Sequence, residues 1–287
     1  MKFRTPLLLP QYPFKISYQD RLLFLGSCFS EHIANFFITN KFQAVTNPFG
    51  ILFNPLSIAL TLDVCTGTAH LNEDYYQYFN GQWISFAHHG RFSHPDKKQF
   101  DAGISHSIQS GQESLSKANY LFITFGTSFY YYHIAKQLIV ANCHKIPANV
   151  FEKRRCTITQ IVEAFRPFFA WVSAHNPQLK IIMTVSPVRH LGDGFHENQL
   201  SKAILHLAIE QLQQEMKQVY YFPSYEILND DLRDYRFYAD DLIHPSTQAI
   251  DYMKEIVTNC FFDKNTQQQL AMIQKEVKSE NHRPIFS

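Results

Sequence analysis

Along the chain, apolar residues gather in short blocks that stop at glycine or proline, and these blocks alternate with stretches in which apolar positions recur every three or four residues. Arg21 to Leu25 predicts a short buried strand, and Phe29, Ile33, Phe36 and Phe37 then recur at helical spacing up to Asn40. Phe42 to Val45 predicts a second strand. The segment from Asn47 to Pro55 carries two Asn-Pro pairs, which disfavour helix at the residue before each proline and make a shaped loop. A helix is expected from Leu56 to Val64, and Tyr75 to Phe86, folded about Asn80-Gly81, predicts a β-hairpin with a tight turn.

Phe100, Ile104 and Ile108 mark one helical face, which Gly111 is expected to interrupt. The apolar run Tyr120 to Phe125 predicts a strand ending at Gly126-Thr127-Ser128. Tyr130 to Cys143 predicts a second hairpin, because Leu138-Ile139-Val140 is strongly strand-forming. Thr157-Ile158-Thr159-Gln160 has capping-box spacing ahead of Ile161, Val162, Phe165, Phe168, Phe169 and Val172, which share the broad apolar side of a helix. Lys180 to Val185 predicts a buried strand, Asn198 to Lys217 a long helix, and Val219 to Phe222 one more strand. Strands and helices alternating at these separations point to an open α/β architecture, a mostly parallel sheet covered on both faces. The expected organisation is one domain over residues 1–263 with a hairpin insertion near 75–95. A polar C-terminal tail, 264–287, is expected to form a helix that docks on a partner.

Composition narrows the class. With 26 Phe, 15 Tyr and 2 Trp against only 18 % charged residues, the 287-residue chain is globular rather than disordered or fibrous. Its net charge of +1 and lack of a long basic run give no electrostatic pull toward nucleic acid or an anionic membrane, so a neutral or small polar substrate is the expected partner. After Met1-Lys2-Phe3-Arg4, the apolar segment Leu7-Leu8-Leu9 is shorter than the ~7 to 15 apolar residues of a secretory signal. Cys28, Cys65, Cys143, Cys156 and Cys260 are odd in number and contain no C-x-x-C pair, which argues for reduced thiols and a cytoplasmic setting. His88, His89 and His94 lack Asp, Glu or Cys at ligand spacing, so no metal is expected.

Two stretches carry candidate chemistry. Gly26-Ser27-Cys28 lies where a strand ends and a helix begins, where unpaired N–H groups favour developing negative charge. Asp241-Leu242-Ile243-His244 sets a carboxylate three residues ahead of an imidazole, so Asp241 can receive the Nδ1–H of His244 and leave Nε2 to accept a proton from a hydroxyl or thiol.

Gly26-Ser27-Cys28-Phe29-Ser30 resembles the motif that names the GSCFA family, with Ser30 in place of its usual Ala. The resemblance extends through Asn47-Pro48-Phe49-Gly50, Asn142-Cys143-His144-Lys145, Ser186-Pro187-Val188-Arg189-His190 and Asp234-Tyr235-Arg236-Phe237-Tyr238. That family is in turn similar to the SGNH or GDSL hydrolases, flavodoxin-like three-layer α/β/α esterases and acyltransferases whose D-x-x-H loop supplies the base. Aligned on Gly-Asp-Ser without gaps, Cys28 takes the place of the hydrolase serine and Ser27 that of its Asp. Both remain candidate nucleophiles: a thiolate is favoured at a helix N-terminus, and Ser27 would need His244 to remove its proton.

The Gly-x-Asn-Asp block of those hydrolases is absent. The nucleophile's own amide, Gly50 as a backbone donor, and Thr127 or Asn142 as side-chain donors are therefore the candidate oxyanion hole, with Thr127 ranked first because it follows a strand end. Asn47, His89, His144 and Arg189 are the candidate substrate-binding residues, Arg189 through planar donors suited to a carboxylate or phosphate or else through an internal ion pair. The resemblance implies an acyl esterase or acyltransferase on a small or carbohydrate-linked acyl ester, with no cofactor. The competing class is a non-catalytic module that keeps the fold and binds a glycan or peptide in the same cleft. Thiol redox chemistry through Cys28 alone comes third, for want of a resolving cysteine nearby in sequence.

Overall fold

The computed structural model describes residues 5–281. Its elements are β1 (Arg21–Gly26), α1 (Cys28–Thr39), β2 (Gln43–Thr46), α2 (Pro55–Thr66), β3 (Tyr76–Phe79), β4 (Gln82–Ser85), α3 (Lys97–Lys117), β5 (Tyr120–Phe125), β6 (Phe129–His133), β7 (Leu138–Val140) and β8 (Phe151–Arg155). There follow α4 (Ile158–His175), β9 (Lys180–Val185), α5 (Phe195–Glu215), β10 (Val219–Tyr221), the single turn α6 (Ser224–Glu226) running into a π-helical stretch Ile227–Leu232, α7 (Thr247–Phe261) and α8 (Lys264–Asn281).

Five strands make a parallel sheet in the order β10-β9-β5-β1-β2. Read from β2, the first five-strand order is second, first, third, fourth, fifth, the flavodoxin-like doubly wound arrangement. Because side chains alternate along a strand, β1 and β5 feed two cores. Leu23, Leu25, Leu121 and Ile123 pack with Ile58 and Leu62 of α2, Phe165 and Phe168 of α4, and Leu205 and Ile209 of α5. Leu22, Phe24, Tyr120 and Phe122 face the other way, onto Phe29 and Phe37 of α1 and Met253 and Phe261 of α7. The molecule is therefore a three-layer α/β/α protein, and each of these fully buried Phe or Leu side chains contributes roughly 1.5 to 3 kcal/mol of hydrophobic stabilisation.

The helix signals in the sequence act as expected. Asn54 caps α2 by accepting from Ser57 N at 2.8 Å, with Pro55 in the first turn, and Thr157 with Gln160 forms a complete capping box on α4. The hairpin β3-β4 turns at Asn80 and Gly81, both at positive φ, 47° and 79°. It shares a small core of Ile84, Phe86, Val140, Ile146 and Phe151 with a three-stranded antiparallel sheet, β7-β6-β8.

Two expectations change, and one strand is added. Helix α3 runs unbroken through Gly111, where the missing side chain lets α2 and α3 approach: a Cβ there would stand 2.5 Å from Cys65 Sγ. Strand β8 pairs with all of β6 despite its sequence Phe-Glu-Lys-Arg-Arg, and the Arg154 guanidinium lies 4.0 Å from the centre of the Tyr132 ring. The stretch after residue 263 is helix α8 as far as residue 281, docked on its own chain, with Leu270 buried in the core beside α7. Residues 1–4 and 282–287 of the N-terminus and tail lie outside the described residues. Among the described residues no helix is long and apolar enough to cross a membrane.

The parallel register levels Gly26 with Thr124 and Phe125 with Val185, so the C-terminal ends of β1, β5 and β9 open onto one edge. In open α/β sheets this edge is where ligands bind.

Candidate active site

The turn from β1 into α1 has room only for glycine at its first position. Gly26 sits at φ +132°, and a Cβ added there would lie 2.2 Å from Thr124 O. Ser27 is the N-cap residue of α1, yet its side chain makes no capping bond. Its hydroxyl is sealed in the interior with no hydrogen-bond partner among the described residues. Cys28, the first residue of α1, is half-buried and so reachable. Burial pushes its thiol up, while the N–H groups of Phe29 and Cys28 pull it down; Glu31 adds to the rise and the Lys202 ammonium opposes it.

Asn47 holds this turn from behind. It is fully buried, at φ +44°. Its Oδ1 accepts from Gly26 N at 2.9 Å, its Nδ2 donates to Glu31 Oε1 at 3.3 Å, and its backbone O accepts from Gly50 N at 2.7 Å and from Arg91 Nη2. Arg91 also stands 3.6 Å from Glu31. Asn47, expected to bind substrate, is thus buried with both ends of its amide engaged, and the N–H of Gly50, expected to face an oxyanion, is donated to Asn47 O. Gly50 needs its own glycine character for another reason, a φ of +85° and a Cβ direction filled by His89 Cβ at 2.2 Å.

On the loop before α7, Asp241 Oδ2 meets His244 Nδ1 at 2.7 Å, while Oδ1 accepts from Ile243 N at 2.8 Å and His244 N at 3.0 Å. Those three bonds to the ionised form hold the Asp241 carboxyl down at about 2. The His244 ring is half-exposed, and Nε2 has no hydrogen-bond partner among the described residues. It lies near α1: burial lowers the pKa of His32, one turn beyond Cys28, and proximity to His244 lowers it further. Arg189 braces the loop from the end of β9, donating N to Ile243 O at 3.2 Å and Nη1 to Leu242 O at 3.1 Å. Among the described residues Arg189 forms no ion pair, and its guanidinium lies over Phe195, Tyr235 and Tyr238 at 5.2, 5.7 and 5.3 Å.

Lys202, which belongs to no motif in the sequence, is buried to 1 % exposure at the same edge. Its Nζ donates to Gly126 O at 2.6 Å and Ser186 O at 2.7 Å, the first carbonyls beyond β5 and β9. Burial brings its pKa down to about 7, and the neighbouring Cys28 thiolate would raise it. One signal for it existed: Asn198, Ser201, Lys202 and Leu205 are all buried on the inner face of α5, so a lysine occupies a core-facing position.

Thr127 donates its backbone N–H to Phe53 O at 3.1 Å, which leaves the hydroxyl as its only donor. Ser201 Oγ accepts from Ser128 N at 2.8 Å and from Ser128 Oγ at 3.1 Å, so its own proton points to Thr127 Oγ1 at 3.1 Å. Thr127 Oγ1 then accepts from Ser201 and from Phe129 N at 3.1 Å, and its proton is directed elsewhere. Thr127 lines a cavity of about 260 Å³ walled by Phe53, Phe129, Tyr131 and His190.

The remaining candidates fall in the insertions. Asn142 Oδ1 accepts from His144 N at 2.7 Å, and His144 Nε2 meets Ser85 O at 2.8 Å, which ties both to the β3-β4 hairpin. Asn142 thus fixes the loop through its Oδ1, and His144 is likewise held against the hairpin. His89 is half-buried, accepting from Arg91 N at 3.3 Å through Nδ1; burial lowers its pKa, with Arg91 assisting.

Among solved structures, a carbohydrate esterase family 3 from Talaromyces cellulolyticus is 7 % identical, covering 90 % of this chain and 99 % of its own, at a TM-score of 0.41. A variant of an acetyl-xylooligosaccharide esterase from Geobacillus Stearmophilus is 12 % identical over 86 % of this chain and 95 % of that one, at 0.38. An acetyl xylan esterase from Butyrivibrio proteoclasticus is 11 % identical over 85 % and 65 %, at 0.41. No curated protein matches the chain. The sequence matches the GSCFA family over residues 21–256, a span that holds the β1–α1 turn, Lys202 and the Asp241–His244 loop, and the chain belongs to that family.

Proposed function

We propose that this protein is an acyl esterase or acyltransferase acting on a small or carbohydrate-linked acyl ester, with Cys28 as nucleophile, His244 as base and Asp241 as the residue that orients it. The observation that carries the reading is the 2.7 Å Asp241–His244 pair with Nε2 unengaged, on the strand-end edge where Cys28 opens α1. A hydroxyl with no solvent access and no base within hydrogen-bond reach cannot attack a substrate, which favours Cys28 over Ser27.

In the reaction so assigned, His244 Nε2 takes the Cys28 proton and the sulfur attacks the ester carbonyl. His244 returns that proton to the departing alkoxide, leaving an acyl thioester on Cys28. Water, or an acceptor hydroxyl in a transferase, then attacks the thioester with His244 again as base. The Cys28 N–H and the Thr127 hydroxyl are assigned to the oxyanion, and the aromatic cavity beside Thr127 suits the acyl or sugar portion. Loss of one oxyanion donor typically costs ~2.7 to 4 kcal/mol of transition-state stabilisation.

An electrophilic acyl probe followed by peptide mass analysis tests the assignment. The expected adduct is on Cys28; Cys28→Ala abolishes it together with ester turnover, whereas Ser27→Ala keeps both. A labelled serine, or turnover surviving in Cys28→Ala, would overturn the nucleophile. Tight glycan or peptide binding without labelling or turnover would instead mark a binding module.

A further inference from the structure

A second cavity, of about 210 Å³, lies between the segment after β9, the start of α5 and residues 225–238, and is lined by the Arg189 that braces the Asp241–His244 loop. Three basic side chains line it: Arg189, Lys202 and Arg233. The only carboxylate in its lining, Asp234, is held by Arg236 through Nε at 3.1 Å and Nη2 at 3.2 Å. Lys202 has no carboxylate partner among the described residues: its Nζ meets two backbone carbonyls and lies 6.0 Å from the centre of the Tyr225 ring, so a proton on it leaves one N–H donor unassigned in a buried setting. Arg189 engages a single carbonyl through Nη1 and is kept flat by the rings of Phe195, Tyr235 and Tyr238. A buried lysine amine without a carboxylate partner and a guanidinium with a free edge, on the walls of one cavity, are matched by anionic oxygens, which would hold the proton on the one and complete the donors of the other.

We propose that this cavity is an anion subsite that receives a carboxylate or phosphate group carried by the ester substrate. The assignment rests on the acyl-transfer reading for its link to catalysis, and it sets the substrate class: esters bearing one negative group on the side of the molecule that reaches the loop bracing His244. Tyr225, Tyr235 and Tyr238 supply the surfaces on which the carbon skeleton next to the charge would lie.

Titration calorimetry with benzoate, phenyl phosphate and neutral benzamide tests the subsite directly, without turnover. Either anion is expected to bind at least tenfold more tightly than benzamide, and the stronger of the two arms tells carboxylate from phosphate. An Arg189→Gln/Arg233→Gln double variant, its fold checked by circular dichroism, is expected to lose that preference. Arg233→Gln alone, on an exposed side chain, covers the case in which the double variant does not fold and is expected to lose at least threefold. Equal binding of anions and benzamide, or a preference that survives these substitutions, would overturn the subsite. Labelling of Cys28 by a neutral acyl probe separates the two ideas. A labelled protein without anion preference keeps the esterase and removes the subsite, and anion preference without labelling does the reverse.

Discussion

Lys202 is a cation whose ordinary pKa lies near 10.4 and which burial brings down to about 7. Between those values the unfolded chain holds a proton that the folded protein has lost, so folding stability gains with rising pH over that window. Lys202→Met removes the titration. The difference in urea-unfolding free energy, native protein minus variant, is therefore expected to climb from about pH 7 to about pH 10. A flat difference would mean that the ammonium keeps its ordinary affinity for the proton. The same residue shows where sequence reading stops at this scale. Asp241 and His244 were legible because three residues of loop bring a carboxylate to an imidazole by local geometry alone. Lys202 and Asn47 were not, because their roles depend on carbonyls and amides brought together by the sheet: Gly126 with Ser186 for one, Gly26 with Glu31 for the other.

The elements themselves were largely readable. A parallel strand buried on both faces must be apolar throughout, and a helix packed on one side must repeat its apolar residues every three or four positions, so β1, β5, β9, α1 and α4 announced themselves. Strand β8 did not, since as a sheet edge it can carry charges, and it sets the Lys153 ammonium over Phe129 and the Arg154 guanidinium over Tyr132 of β6. Gly111 misled for a related reason: a glycine that reads as a helix breaker is here the close contact between α2 and α3. Gly111→Ala gains about 1 kcal/mol of helix propensity but forces a methyl to 2.5 Å from Cys65 Sγ, an overpacking cost of roughly 1 to 3 kcal/mol. A net fall in Tm is expected, and Cys65→Ala in the same chain should restore it, because the sulfur is then gone. If the single variant is as stable as the parent, the seam is looser than described.

At the scale of the molecule, the sheet supplies the edge and the insertions supply part of its support. Arg91, in the insertion, donates to the backbone of Asn47 and pairs with Glu31, and Asn47 in turn fixes Gly26 N. Asn47→Ala leaves that buried N–H without a partner and is expected to cost about 1 to 3 kcal/mol. Arg91→Ala removes a partly exposed ion pair worth no more than about 1 kcal/mol and one of two donors to Asn47 O, which Gly50 N still serves. Under the proposed mechanism, Arg91→Ala is expected to leave Tm nearly unchanged while slowing acylation at Cys28, a split that rate measurements with the acyl probe and thermal melts would reveal together. Equal slowing and melting would make Arg91 a stability residue only. The relay also bears on portability. Five residues, Gly26 to Ser30, name the motif, yet the backbone at Gly26 is held from outside them, by the side chain of Asn47 twenty-one positions on and, behind it, by Arg91 in the turn that follows the hairpin. Transplanted onto another doubly wound sheet, those five letters would carry the thiol without its aim, and a trimmed version of this chain lacking residues 75–95 would inherit the same fault.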